Sequence, residues 1–137
     1  MIKSNLLYGV ETWRITERYM RVEAVEMDVI RRSMRISRQQ QIRNNTIKQQ
    51  MGIEGTITQD IEKKQLIWYG HVERMKDTGW PKKIINWQPK DRRKQGRPKL
   101  EWQKSVHKAM SERNLSTEDC TNRTGWKFGI GQRRKTF

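Results

Sequence analysis

Ile57, Ile61, Trp68, Val72 and Met75 recur at intervals of 4, 7, 4 and 3. That is the spacing of an apolar stripe along one side of an α-helix. Leu66 and Tyr69 widen the stripe, and Thr56 or Thr58 stands where an N-cap belongs. A helix of this kind, over residues 57–75, must cover its stripe with other elements, and the remaining segments offer more helices rather than strands. Thr16 reads as an N-cap for a helix over 17–35, with acids early (Glu17, Glu23, Glu26, Asp28) and arginines late (Arg31, Arg32, Arg35), as the helix dipole favours. Asn45 can cap a short helix that Gly52 ends. Pro81 opens a turn of helix carrying Ile84, Ile85 and Trp87, and Pro89 stops it. Pro98 suits the first turn of a further helix with Leu100, Trp102, Val106 and Met110 inward. A last short helix starts at Ser116 or Thr117, includes Trp126 and ends by Gly129. Residues 1–14 are compatible with helix or extended chain.

The expected fold is therefore all-α: a small multi-helix assembly with a basic, partly extended linker and a basic C-terminal tail. The expected organisation is a helical region over 1–75, a Pro/Gly-containing basic linker over 76–98, and a C-terminal helical region with the tail over 99–137. Hydrophobic residues make up only 33% of the 137 positions, so the core must be thin. Six tryptophans compensate, since each can bury roughly 150–250 Å². Trp68, Trp102 and Trp126 are expected inside; Trp80 and Trp87 are left open.

Thirty lysines and arginines oppose fifteen acids, a net charge of +15. Such a surplus repels itself on folding unless a polyanion neutralises it, which favours nucleic acid or an anionic membrane as partner. No segment approaches the roughly 20 apolar residues of a membrane span, and no signal-peptide cleavage region is evident. The reading is an intracellular protein, of nucleus or cytoplasm. The single cysteine, Cys120, cannot form an internal disulfide. With His71 and His107 it lacks the paired spacing of a zinc site, so no metal is expected.

The cations are not evenly spread. From Arg31 to Lys48 there are six basic residues and no acid. A solvated helix face usually mixes signs, so Arg31, Arg32, Arg35, Arg38 and Arg43 are candidate phosphate contacts. Between Lys82 and Lys108 ten lysines or arginines face only Asp91 and Glu101. Here Lys82, Lys83, Arg92, Arg93, Lys94, Arg97 and Lys99 are candidates, and the tail adds Arg133 and Arg134. "QGRPK" resembles an AT-hook core, whose arginine enters a narrow A·T minor groove, but it lacks the arginine before the glycine and occurs once. Phosphate contact without base reading is the preferred mode; hydrated side chains around a turn and a helix start are the plain alternative.

No catalytic residue is expected. Asp28, Asp60, Asp77, Asp91 and Asp119 are isolated, without the converging carboxylates of two-metal chemistry. There is no phosphate loop and no dinucleotide fingerprint, and no cofactor is implied. His71, in "WYGHVERM", reads as a surface or packing histidine beside a glycine that permits close approach. Nothing in the sequence lowers the Cys120 pKa for nucleophilic work.

Taken in order, "LLYGVETW", "EMDVIRRSMRIS", "IRNNTIKQQMGI", "QLIWYGHVERM", "PKKIINWQPKDRRKQGRPKLEW" and "GWKFGIGQRRKTF" resemble the C-terminal part of animal non-LTR retrotransposon endonuclease–reverse transcriptases. The resemblance spans nearly the whole chain. It implies thumb-like helices and a basic C-terminal region that grip template RNA and primer DNA. It also implies an upstream polymerase domain as partner in a full-length parent, with Met1 an internal methionine. The catalytic aspartates of the palm and the endonuclease site lie outside these motifs, so the expected protein is noncatalytic alone. Two departures stand out: Gln40 and Gln41 replace a charged pair, and Asn122 replaces an aspartate before Arg123. Two other readings remain: an orphan structural fragment of a decayed element with no retained activity, and an independent A·T-preferring DNA-binding protein.

Overall fold

The computed structural model describes residue 4 and residues 7–14, 20–53, 55–87 and 102–132. Within them the chain is all-α, with six helices and no strand: α1 (Met20–Ser33), α2 (Asn44–Gln50), α3 (Ile57–Glu73), α4 (Trp80–Ile85), α5 (Trp102–Ser111) and α6 (Arg123–Gly131). Helix α3 is the hub. It packs against the N-terminal segment, α1, α4, α5, α6 and the 3-10 turn Glu118–Thr121. The second part of the expected linker, from 88 to 98, lies outside the described residues, as does the tail from 133.

The expected stripe explains α3, with one polar addition. Ile57, Ile61, Leu66, Tyr69 and Val72 are buried, and Gln65 fills the place between Ile61 and Trp68. Gln65 is buried because its Nε2 donates to Trp13 O at 2.7 Å and Val10 O at 3.4 Å, which removes the penalty of an unmade amide bond. Thr56 starts the helix through a capping box: its hydroxyl accepts from the Gln59 N–H, and the Gln59 side chain accepts from the Thr56 N–H.

Three apolar clusters surround this hub. Leu66, Tyr69, Val106, Ala109, Met110, Cys120, Trp126 and Ile130 form the largest, between α3, α5 and α6. Leu7, Val10, Ile57 and Ile61 form a second, and Met27, Ile30 and Ile47 a third, between α1 and α2. Of the expected core tryptophans, Trp126 is 2% exposed. Trp68 and Trp102 are half-buried instead, meeting edge to face at 5.4 Å. Trp102 also donates its indole N–H to Glu11 O at 2.9 Å, a polar handle that keeps its ring at the rim of the core.

Three helices end in the same way. The Ile36 N–H bonds Arg31 O and the Arg35 N–H bonds Arg32 O; Ile53 and Gly52 do the same to Lys48 and Gln49, and Leu115 and Asn114 to Met110 and Ser111. This is the Schellman pattern, which needs a left-handed residue after the helix. Arg35, Gly52 and Asn114 are those residues, at φ 57°, 62° and 53°. Gly52 is the stop read from the sequence.

One segment left open takes a definite form, and one expectation needs correction. The N-terminal segment, open between helix and extended chain, makes a 3-10 turn at Val10–Thr12 after Gly9 in the left-handed region. It lies along α3, with Val10 fully buried and Leu7 O accepting from Lys64 Nζ at 2.8 Å. The last helix does not run from Ser116 through Trp126. Asp119 folds back to accept from the Ser116 N–H and hydroxyl, and Asn122 is extended at φ −87°, ψ 95°, capping α6 through the Gly125 N–H. Side-chain bonds to nearby backbone N–H groups outcompete continuation of the helix there.

Candidate nucleic-acid interface

The arginines of 31–43 sit on the hairpin that joins α1 to α2, and they divide by role. Arg31 points inward. Its Nη2 donates to Ile42 O at 2.6 Å and Asn44 Oδ1 at 2.9 Å. It braces the end of α1 against the start of α2, and its charge is spent inside the hairpin. Arg32 and Arg38 share one carboxylate, Asp28, at 2.9 and 3.1 Å, while their side chains stay 80% and 78% exposed. Exposed pairs of this kind are worth only about 0–1 kcal/mol, so a phosphate can replace Asp28 at little loss. Arg35 and Arg43 are exposed and make no ion pair among the described residues. The hairpin thus presents Arg32, Arg35, Arg38 and Arg43 outward against a single acid. Lys48, on the far side of α2, turns back to Glu26 at 3.5 Å.

Arg35 carries a conformational penalty. A non-glycine residue in the left-handed region is disfavoured because its Cβ crowds the following carbonyl, and glycine is usual at this helix-end position. We expect Arg35→Gly to raise stability by roughly 0.5–1 kcal/mol in urea denaturation, although it removes a cation from the hairpin.

The second candidate group is split by the structure. Lys82 Nζ donates to Asp77 Oδ1 at 2.8 Å and to Glu73 O at 3.1 Å. The hydrogen bond from Lys82 holds the Asp77 carboxyl below its usual range, and the same bond raises the Lys82 ammonium. Lys82 is therefore engaged internally, pinning α4 to the end of α3. Lys83 points out, 5.6 Å above the ring of Trp80. Arg92, Arg93, Lys94, Arg97, Lys99, Arg133 and Arg134 lie outside the described residues.

The other groups weighed from the sequence have plain settings. His71 is exposed on α3. Gly70 beside it is where Trp126 crosses: a Cβ there would fall on the indole, whose N–H reaches Leu66 O at 3.1 Å. Cys120 is buried, and burial, then the Glu73 charge, push its thiol to about 11, leaving it protonated at neutral pH. Among the described residues no group of three His, Cys, Asp or Glu could hold a metal ion, and no helix is long and apolar enough to cross a membrane. Sequence reading did not single out the internal roles of Arg31 and Lys82; both depend on carbonyls and carboxylates that only the turn geometry brings near.

The chain is similar to a transposon-derived, uncharacterized protein of Caenorhabditis elegans, 27% identical over 121 residues, or 85% of this chain. The chain spans 43% of that relative's length. No family model matches, and no solved structure matches.

Proposed function

We propose that this chain is the nucleic-acid-gripping C-terminal part of a non-LTR retrotransposon reverse transcriptase. It holds template or primer phosphates, has no catalytic role alone, and works beside an upstream polymerase domain in the full-length parent. The likeness to a transposon-derived protein supports the origin, and the ordered motifs from "LLYGVETW" to "GWKFGIGQRRKTF" support the more specific placement. The observation that carries the gripping role is Arg35, held at φ 57° on an arginine-lined turn where glycine would be relaxed. The Schellman end of α1 sets that φ, and glycine would serve it without strain; the arginine there instead adds an exposed cation to Arg32, Arg38 and Arg43 against the single acid Asp28.

Phosphate contact makes affinity fall with salt, by about 0.9 log units per log unit of salt for each duplex phosphate neutralised and about 0.7 on single strands. Changing Arg32, Arg35, Arg38 and Arg43 together to glutamine should flatten the salt slope by roughly 3. Arg31 is left intact because it holds the hairpin together. Fluorescence anisotropy with labelled RNA and DNA over a salt series reads the slope directly. An unchanged slope with the hairpin neutralised removes this surface from the proposal.

A further inference from the structure

The outer side of α4 has no role in anything above. Trp80, Ile84 and Trp87 are 76%, 67% and 69% exposed. Their spacing of four and then three positions aligns them along one side of the helix and its exit. The helix is fixed from behind: Ile85 packs on the largest cluster, Ile85 O accepts from Gln103 Nε2 at 2.7 Å, and Lys82 anchors to Glu73 and Asp77. A chain with so few apolar residues places two indoles in solvent on a rigid mount.

Charge identifies the occupant. The Lys83 ammonium stands 5.6 Å over the Trp80 ring, and Lys76 is exposed at the entry to α4. The neighbouring acid, Asp77, is paired with Lys82. In the sequence the stripe runs straight into Lys90–Lys99, six cations against Asp91. Flat π surfaces beside exposed lysines suit a polyanion that carries flat rings. We propose that Trp80 and Trp87 are a base-stacking platform for single-stranded nucleic acid, with Lys83 on its phosphates. This rests on the proposed function and specifies which strand form this site takes. Duplex bases are stacked on one another and cannot use the platform.

The test measures affinity of the full chain for three probes over a salt series: a short oligothymidylate, an abasic strand of equal length and charge, and a duplex. The oligothymidylate should bind at least about tenfold more tightly than the abasic strand. Trp80→Ala with Trp87→Ala should abolish that difference while leaving the salt slope unchanged, because stacking adds affinity without releasing counterions. Trp80→Phe with Trp87→Phe should keep part of it. Both sites are exposed, and a melting curve verifies that the variants fold. Equal affinity for base-bearing and abasic strands overturns the platform while leaving the phosphate grip standing. Binding of none of the three in dilute buffer overturns both. If the alanine pair abolishes self-association and leaves strand binding unchanged, the stripe belongs to a second copy of the chain and the platform falls.

Discussion

Replacing Gly70 with alanine should destabilise the protein by about 3 kcal/mol, although Gly→Ala inside an exposed helix ordinarily stabilises by about 1 kcal/mol. The sign is reversed by one neighbour. A Cβ at this position would meet Nε1, Cδ1 and Cε2 of Trp126 well inside contact distance. Trp126 is 2% exposed and tied by its N–H to Leu66 O at 3.1 Å, and Tyr69 packs against it at 6.5 Å. It cannot retreat without breaking that bond or disturbing the largest cluster. Overpacking costs about 1–3 kcal/mol, and a buried N–H left unpaired about 1–3 kcal/mol more. Together these exceed the helix-propensity gain. A double-mutant cycle in urea isolates the cause. With Trp126→Leu in place, Gly70→Ala should become neutral or mildly stabilising, since the clash is gone and only propensity remains. If Gly70→Ala is equally harmful in both backgrounds, the indole is not what requires the glycine.

This pair also marks how far the sequence could be read. The α3 stripe, the Thr56 cap, the Gly52 stop and the inward Val106 and Met110 are local signals, written in residues a few positions apart. They were legible because helix periodicity and capping act over one or two turns. Gly70 was legible only as a place of close approach; that an indole makes the approach depends on residues 60 positions away from Leu66 along the chain. Gln65 was hidden for a related reason. Its burial depends on two carbonyls of the N-terminal segment, which offered no clear pattern of its own. The candidate interface was partly legible. The acid-free run from Arg31 falls on a single hairpin, but composition treats every arginine alike. Local geometry separates Arg31, bonded to Ile42 O and Asn44, from Arg35, exposed at the left-handed end of α1. The same holds for Lys82 and Lys83, adjacent in sequence and opposite in role.

The basic surplus makes one internal arginine the second large liability. Arg113→Met should cost about 3–5 kcal/mol, a large share of the roughly 5–15 kcal/mol that holds a domain folded. Arg113 is 6% exposed and joins three helices. Its Nη1 donates to Ala109 O at 2.8 Å near the end of α5, its Nε to Ile130 O at 3.3 Å near the end of α6, and its Nη2 to Glu62 Oε2 of α3 at 2.9 Å. The two carbonyls lie near helix C-termini, where the backbone partial charge is negative and a cation is favoured. Methionine matches the stem of the arginine and none of its donors, so it strips both carbonyls of this bond and Glu62 of this counter-charge. Arg113→Lys should lose less, since an ammonium keeps the charge but cannot span three acceptors with one planar group. Pairing Arg113→Met with Glu62→Leu should recover at least about 1 kcal/mol of the loss, because the half-buried Glu62 carboxylate no longer lacks the guanidinium. Urea midpoints at constant m-value measure all three. A loss under 1 kcal/mol for Arg113→Met would mean that the helices hold together by apolar packing alone, with the guanidinium a bystander in the space between them.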